Sequence, residues 1–124
     1  MWCQLRMRLL CILAAFVLFL SIMPGRPFAQ DIGLGTTQFE WCSQSDASFK
    51  EGFCLGYIGG LRAMNQVRTY INPKDALFCT PEGLSNERAR AVVLKYLLTN
   101  PDKLNAHFSM IVILALREAF PCSG

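Results

Sequence analysis

The side chains with the chemistry for catalysis or metal binding, once an apolar N-terminal run is set aside, are Cys42, Cys54, Cys79, Cys122 and His107. A Cys–His pair could form a thiolate nucleophile and a Ser–His pair an activated hydroxyl. Either would need His107, the single histidine, as its base. A structural zinc site would use closely spaced Cys and His pairs, and this chain has no C-x-x-C. The carboxylates Glu40, Glu51, Glu82, Glu87 and Glu118 form no close pair suited to acid–base work. "GYIGG", residues 56–60, lacks the preceding strand that a phosphate-binding glycine loop requires. His107, beside Phe108, reads as a semi-exposed structural residue. No catalytic set, cofactor or metal is therefore expected, and the chain does not read as an enzyme. Disulfide formation is the chemistry left to the cysteines.

The N-terminus supports that reading. "MWCQLRMRLL" carries Arg6 and Arg8 without an acid, "CILAAFVLFLSIM" is free of charge, and "PGRPFAQD" follows. A basic start, a short apolar run and a small-residue exit are the order of a secretory signal peptide. The run is short for a membrane span, which takes roughly 20 residues. Residues 1–29 are assigned to the leader, with cleavage after Ala29; an uncleaved anchor helix is the alternative. Cys3 and Cys11 leave with it, so an even set of four remains in an exported chain. Two disulfides in an oxidising compartment such as a bacterial periplasm are expected. The formal charge of +3 also leaves, because it arises from Arg6, Arg8 and Arg26. A neutral mature domain gives no general attraction to nucleic acid. A membrane partner is not expected after cleavage.

The remaining residues, 30–124, read as one domain. "TTQFEWC", residues 36–42, is a short helix anchored by Phe39 and Trp41. Asp46 or Ser45 caps a second helix from about Ala47 to Thr69. Residues 70–83 hold Pro73, Pro81 and Gly83 and are largely loop. Ser85 caps a third helix whose Ala89, Val92, Val93, Tyr96 and Leu97 fit the helical apolar template, with Arg88, Arg90 and Lys95 facing away. Asn100 caps a fourth helix with Pro101 at its first position, running to about Phe120. That helix is apolar nearly all round, so it is either the central helix or also packs on a second subunit. Strand alternation is absent. The expected fold is all-α, a small disulfide-stapled bundle of about four helices.

In the second helix Gly52, Gly56, Gly59, Gly60, Ala63 and Val67 share one side, opposite Phe53, Tyr57, Leu61 and Met64. The small residues predict close approach of another helix, since each glycine otherwise costs about 1 kcal/mol against alanine. If consecutive helices alternate in direction, the four cysteines gather at one end of the bundle. Three connectivities fit that arrangement, and the layout favours Cys54–Cys79 with Cys42–Cys122.

"FCLGYIGGLRAM" (53–64), "FCTPEGLSNERARAVVLKYLLTNPDKL" (78–104) and "ALREAFPC" (115–122) resemble the Rap/Tai family of immunity proteins. The matching positions are Cys54, Gly56, Tyr57, Gly60, Cys79, Pro81, Gly83, Tyr96, Pro101 and Cys122, nearly all of them structural. The resemblance implies a small exported all-α homodimer that protects a Gram-negative cell from type VI secretion amidase effectors. Those effectors cleave peptidoglycan peptides in the periplasm, and the immunity protein occludes their catalytic cleft. The partner implied is thus a peptidoglycan amidase effector. A disulfide-tied loop loses little entropy on docking, which singles out residues 70–77, with Tyr70, Lys74 and Asp75 as contacts. The alternative is a general periplasmic helical binding or stress protein, chaperone-like, without a cognate toxin.

Overall fold

The computed structural model describes residues 32–122. The assigned leader, residues 1–29, lies outside them. Four α-helices follow in order: α1 (Gly35–Cys42), α2 (Phe49–Ile71), α3 (Asn86–Thr99) and α4 (Phe108–Ala119). Two 3-10 turns, Pro73–Asp75 and Pro101–Asn105, precede α3 and α4. Among the described residues there is no strand, only an isolated antiparallel bridge between Leu34 and His107. No described helix is long and apolar enough to cross a membrane. The protein is a small all-α, disulfide-stapled bundle.

Helix starts follow local hydrogen bonding. The Ser48 hydroxyl, rather than Asp46 or Ser45, caps α2 by accepting from Glu51 N–H, and the Glu51 carboxylate accepts from Ala47 N–H at 2.7 Å. This reciprocal exchange is close to a capping box. Asp46 instead accepts from Ser48 N–H at 3.2 Å. Ala47 takes φ 55°, a left-handed conformation rare for a residue with a Cβ. Ser85 caps α3 as the sequence predicts, accepting from Arg88 N–H at 3.2 Å.

The fourth helix is shorter than its sequence suggests. Pro101 opens a 3-10 turn, and α4 starts only at Phe108. The reason is tertiary: the chain at residues 33–35 zips onto 106–108. Gly35 N–H donates to Ala106 O at 2.9 Å, and Phe108 N–H donates to Gly33 O at 2.8 Å. These bonds hold Ala106 and His107 extended. Gly35 is required where the segments meet, since a Cβ there would collide with Ile111 and come within 2.8 Å of Leu104 O.

The core is built on α4. Phe108, Ile111, Val112, Ala115 and Leu116 are fully buried at helical spacing. They pack with Ile58 of α2, Ala89, Val93 and Leu97 of α3, and Phe78 of the α2–α3 connection. Burying each large side chain contributes roughly 1.5–3 kcal/mol. All four helices touch one another, and α4 is the central one in that it supplies more buried apolar side chains than any other helix. It is not buried all round, for Met110 is exposed. Along one flank an aromatic ladder links Trp41, Phe53, Tyr57 and Phe108, with centroid separations of 5.2, 6.1 and 5.3 Å.

The disulfides pair differently from the expectation. Cys42 bonds Cys54, with Cα atoms 5.2 Å apart, and Cys79 bonds Cys122, with Cα atoms 4.9 Å apart. The expected Cys54–Cys79 and Cys42–Cys122 are not formed. Alternating helices put the start of α2 and the start of α3 at opposite ends of α2, so the cysteines gather at two places. The turn at residues 43–48 folds α1 back onto the first turns of α2, and the end of α4 meets the segment before α3.

Two further expectations are corrected. Among the described residues nothing covers most of the glycine side of α2: a Cβ at Gly52, Gly56 or Gly60 would meet none of their atoms within 4 Å. Gly59 alone makes the predicted close approach, against Asn86 at the start of α3. Arg90, expected to face away, turns inward to Glu51 at 2.8 Å and Gln44 O at 3.0 Å.

Candidate partner-binding surface

The exposed tip of the molecule is the end of α2 and the turn after it. α2 stops at Ile71 because Asn72 adopts an extended backbone and Pro73 follows. Asn72 bridges the two elements. Its N–H donates to Arg68 O at 2.9 Å, and its side-chain oxygen accepts from Lys74 N–H at 3.2 Å. Asp75 N–H donates back to Asn72 O at 2.9 Å, and Arg68 Nε donates to Asp75 O at 3.3 Å. Tyr70 is 91% exposed and Ile71 76%. Pro73, Lys74 and Asp75 are also exposed.

The return segment is anchored from below. The amide of Asn65, itself buried, accepts from Leu77 N–H at 2.8 Å and donates to Phe78 O at 2.9 Å. Phe78 inserts into the core. Cys79 N–H donates to Phe120 O at 2.9 Å, and the Cys79–Cys122 disulfide closes the corner. A shallow groove of about 340 Å³ runs beside the tip, lined by Asn65, Gln66, Thr69, Tyr70, Phe78, Cys79 and Thr80.

Tyr70, Lys74 and Asp75, singled out in the sequence, are thus brought together on one pinned projection. Sequence reasoning missed Ile71, which it placed past the helix end. It also missed Asn65 and Arg68, which hold the projection. Asn65 did leave a signal, since it lies on the same side of α2 as the buried Cys54 and Ile58. A polar residue there needs internal hydrogen-bond partners.

The other family-matched positions are dispersed through the scaffold. Tyr57 is half-buried in the aromatic ladder. Gly56 and Gly60 lie on the outer side of α2. Pro81 O accepts from Leu84 N–H, and Gly83 has φ 73°, a conformation that favours glycine. Tyr96 O accepts from Asn100 N–H at 2.9 Å at the end of α3, and Pro101 opens the second 3-10 turn.

The sulfurs of Cys42, Cys54, Cys79 and Cys122 are joined in disulfides, so none is a thiolate. His107 is exposed on its side-chain surface, and its backbone stands at the start of α4, bridged to Leu34. Among the described residues no cluster of three His, Cys, Asp or Glu could hold a metal ion. What this surface offers is shape and exposed side chains for a macromolecular partner.

No curated protein and no solved structure matches the sequence. A family model, that of the Rap1a immunity proteins, matches residues 35–122. The match runs from the first residue of α1 to the last cysteine and takes in all four helices and both disulfides, so the chain belongs to the Rap1a immunity protein family.

Proposed function

We propose that this protein is exported to the periplasm by residues 1–29 and there binds a type VI secretion peptidoglycan amidase, blocking its catalytic cleft with the tip at residues 70–75. Family membership makes the chain an immunity-type protein that acts by binding an effector protein. Two disulfides suit an oxidising compartment.

The observation that carries the reading is Tyr70, 91% exposed at the end of α2, next to a turn that Arg68 and Asn65 brace by hydrogen bonds. Large aromatic side chains are the usual anchors of protein interfaces. A turn already fixed in shape gives up little conformational entropy when it enters a cleft. Lys74 and Asp75, exposed on the turn that follows the aromatic, carry opposite charges, which suits a polar rim around a buried anchor.

The test is co-expression with a candidate amidase effector directed to the periplasm. The wild-type chain should bind the effector and prevent lysis. Tyr70→Ala with Lys74→Glu should weaken binding by at least tenfold and leave the melting temperature unchanged. Wild-type protein that neither binds nor protects overturns the reading. Unchanged affinity in the double variant moves the contact off the tip.

A further inference from the structure

The groove beside the tip has one wall made of main chain. Residues 78–80 belong to no helix or turn, and Thr80 precedes Pro81, a position that favours extended backbone. Along an extended chain the N–H and C=O groups point to one side at one residue and to the other side at the next. Cys79 N–H donates to Phe120 O at 2.9 Å. Phe78 and Thr80 therefore present their groups on the opposite side, where the Asn65 amide of α2 donates to Phe78 O at 2.9 Å. Asn65, Phe78 and Thr80 all line the groove. Among the described residues neither the N–H nor the C=O of Thr80 has a hydrogen-bond partner, and neither has the N–H of Phe78.

An open main-chain edge is a template for another extended chain. A segment laid along it can accept from Thr80 N–H and donate to Thr80 C=O, as a strand added to a sheet edge does. The facing wall suits the same guest. It is the last part of α2, where Gln66 is exposed. An amide side chain both donates to and accepts from peptide groups. No charged side chain lines the groove, so an ionic ligand would find no counter-charge in it. Neutral peptide groups need none. At about 340 Å³ the groove falls within the roughly 300–1,000 Å³ of ligand sites. Tyr70 lines the groove and also stands on the exposed tip, so a guest in the groove extends the same contact surface.

We propose that the groove between α2 and residues 78–80 holds an extended peptide segment of the effector, bonded through its main chain to Thr80. The inference rests on the effector-binding reading above and adds how the partner is gripped. The tip enters the cleft while a segment at the cleft's rim pairs beside it. Main-chain pairing supplies affinity with little regard to the side chains of that segment. Selectivity then falls to Tyr70 and its neighbours on the tip.

The experiment uses protein produced from the full-length chain in a Gram-negative periplasm, with a purified candidate amidase effector. Exchange at the Thr80 amide is followed by NMR in the free protein and in the complex. It should be fast in the free protein and at least tenfold slower in the complex. Thr80→Pro removes an N–H that has no partner among the described residues. Gln66→Arg puts bulk and charge into the groove. Each should raise the dissociation constant at least tenfold, with circular dichroism showing native helix content. Wild-type protein that does not bind overturns this inference together with the effector-binding reading. Binding that leaves the Thr80 amide in fast exchange overturns this inference alone, and so does an affinity unchanged in both folded variants. A Thr80 amide already protected in the free protein would mean that the chain covers its own edge, which also overturns it. Protection by chitotriose and not by the effector would assign the groove to a saccharide, with the same consequence.

Discussion

The side-chain amide of Asn65 holds Phe78 by its carbonyl, Nδ2 to O at 2.9 Å, while its oxygen takes the N–H of Leu77 at 2.8 Å. One buried amide on α2 thereby satisfies two backbone groups of the return segment and sets the height of the 70–75 tip. Asn65→Ala would leave both groups without partners. The expected cost is about 2 kcal/mol, or about 10 °C in melting temperature for a domain of this size. Amide exchange at Leu77 should accelerate more than exchange at Val93 in the core. Equal acceleration at both would mean that Asn65 acts on global stability and not on the tip.

The two disulfides should differ in their response to reductant. Cys42 and Cys54 are buried, and Cys79 and Cys122 are exposed. Attack by an external thiol needs access to sulfur. Mild dithiothreitol followed by alkylation and peptide mapping should label Cys79 and Cys122 first. Mapping of the untreated protein should show Cys42–Cys54 and Cys79–Cys122. Replacing either pair with serine should cost about 2–4 kcal/mol. Loss of the Cys79–Cys122 bridge should in addition raise exchange at the tip.

Gly35 tests the zipper between residues 33–35 and 106–108. Because a Cβ there meets Ile111 and Leu104 O, the neighbours that must shift include backbone. Gly35→Ala should destabilise by about 1–3 kcal/mol, against the usual helical gain of alanine over glycine. Thermal denaturation decides, and a higher melting temperature would show that the N-terminal segment is displaced at little cost.

Acid should weaken the starts of α2 and α3. The Asp46 carboxyl lies below its ordinary pKa chiefly through its hydrogen bond with the Ser48 side chain. Glu87 is lowered by its own backbone N–H and then by the Ser85 hydroxyl. With the folded pKa below the unfolded one, the unfolded chain binds protons first as pH falls. The stabilisation is complete above the unfolded values, near pH 4, and is lost as pH drops through the folded ones. Melting temperatures from pH 7 to pH 2 should show a smaller loss below pH 4 in Asp46→Asn/Glu87→Gln than in the wild type. Parallel curves would remove these carboxylates from the acid response.

Much of the bundle is legible in the order of residues. The apolar template over Ala89, Val93 and Leu97 locates α3, and Ser85 starts it, because capping and helical periodicity are local. Phe39 and Trp41 pack inward from α1 for the same reason. The candidate tip could also be found, since prolines and polar residues mark a loop and Tyr70 stands out within it. Where tertiary bonds outweigh local preference the reading fails. Asn100 and Pro101 start a 3-10 turn instead of α4, because residues 33–35 compete for the backbone of 106–108. Arg90 resembles a solvent-facing charge until α2 supplies Glu51.

Helix number, helix starts, the even set of cysteines and the lack of a catalytic pattern are local or compositional properties, and the chain carries them in its order alone. Which cysteines pair, what faces the glycines and how the tip is braced depend on relations between segments distant in sequence. Four cysteines admit three pairings, and the direction and length of α2 select one of them by separating Cys54 from Cys79. A strip of glycines is the same string of letters whether it lies against a neighbour or is open. Packing of α3 and α4 against the other side of α2 leaves that strip to the outside.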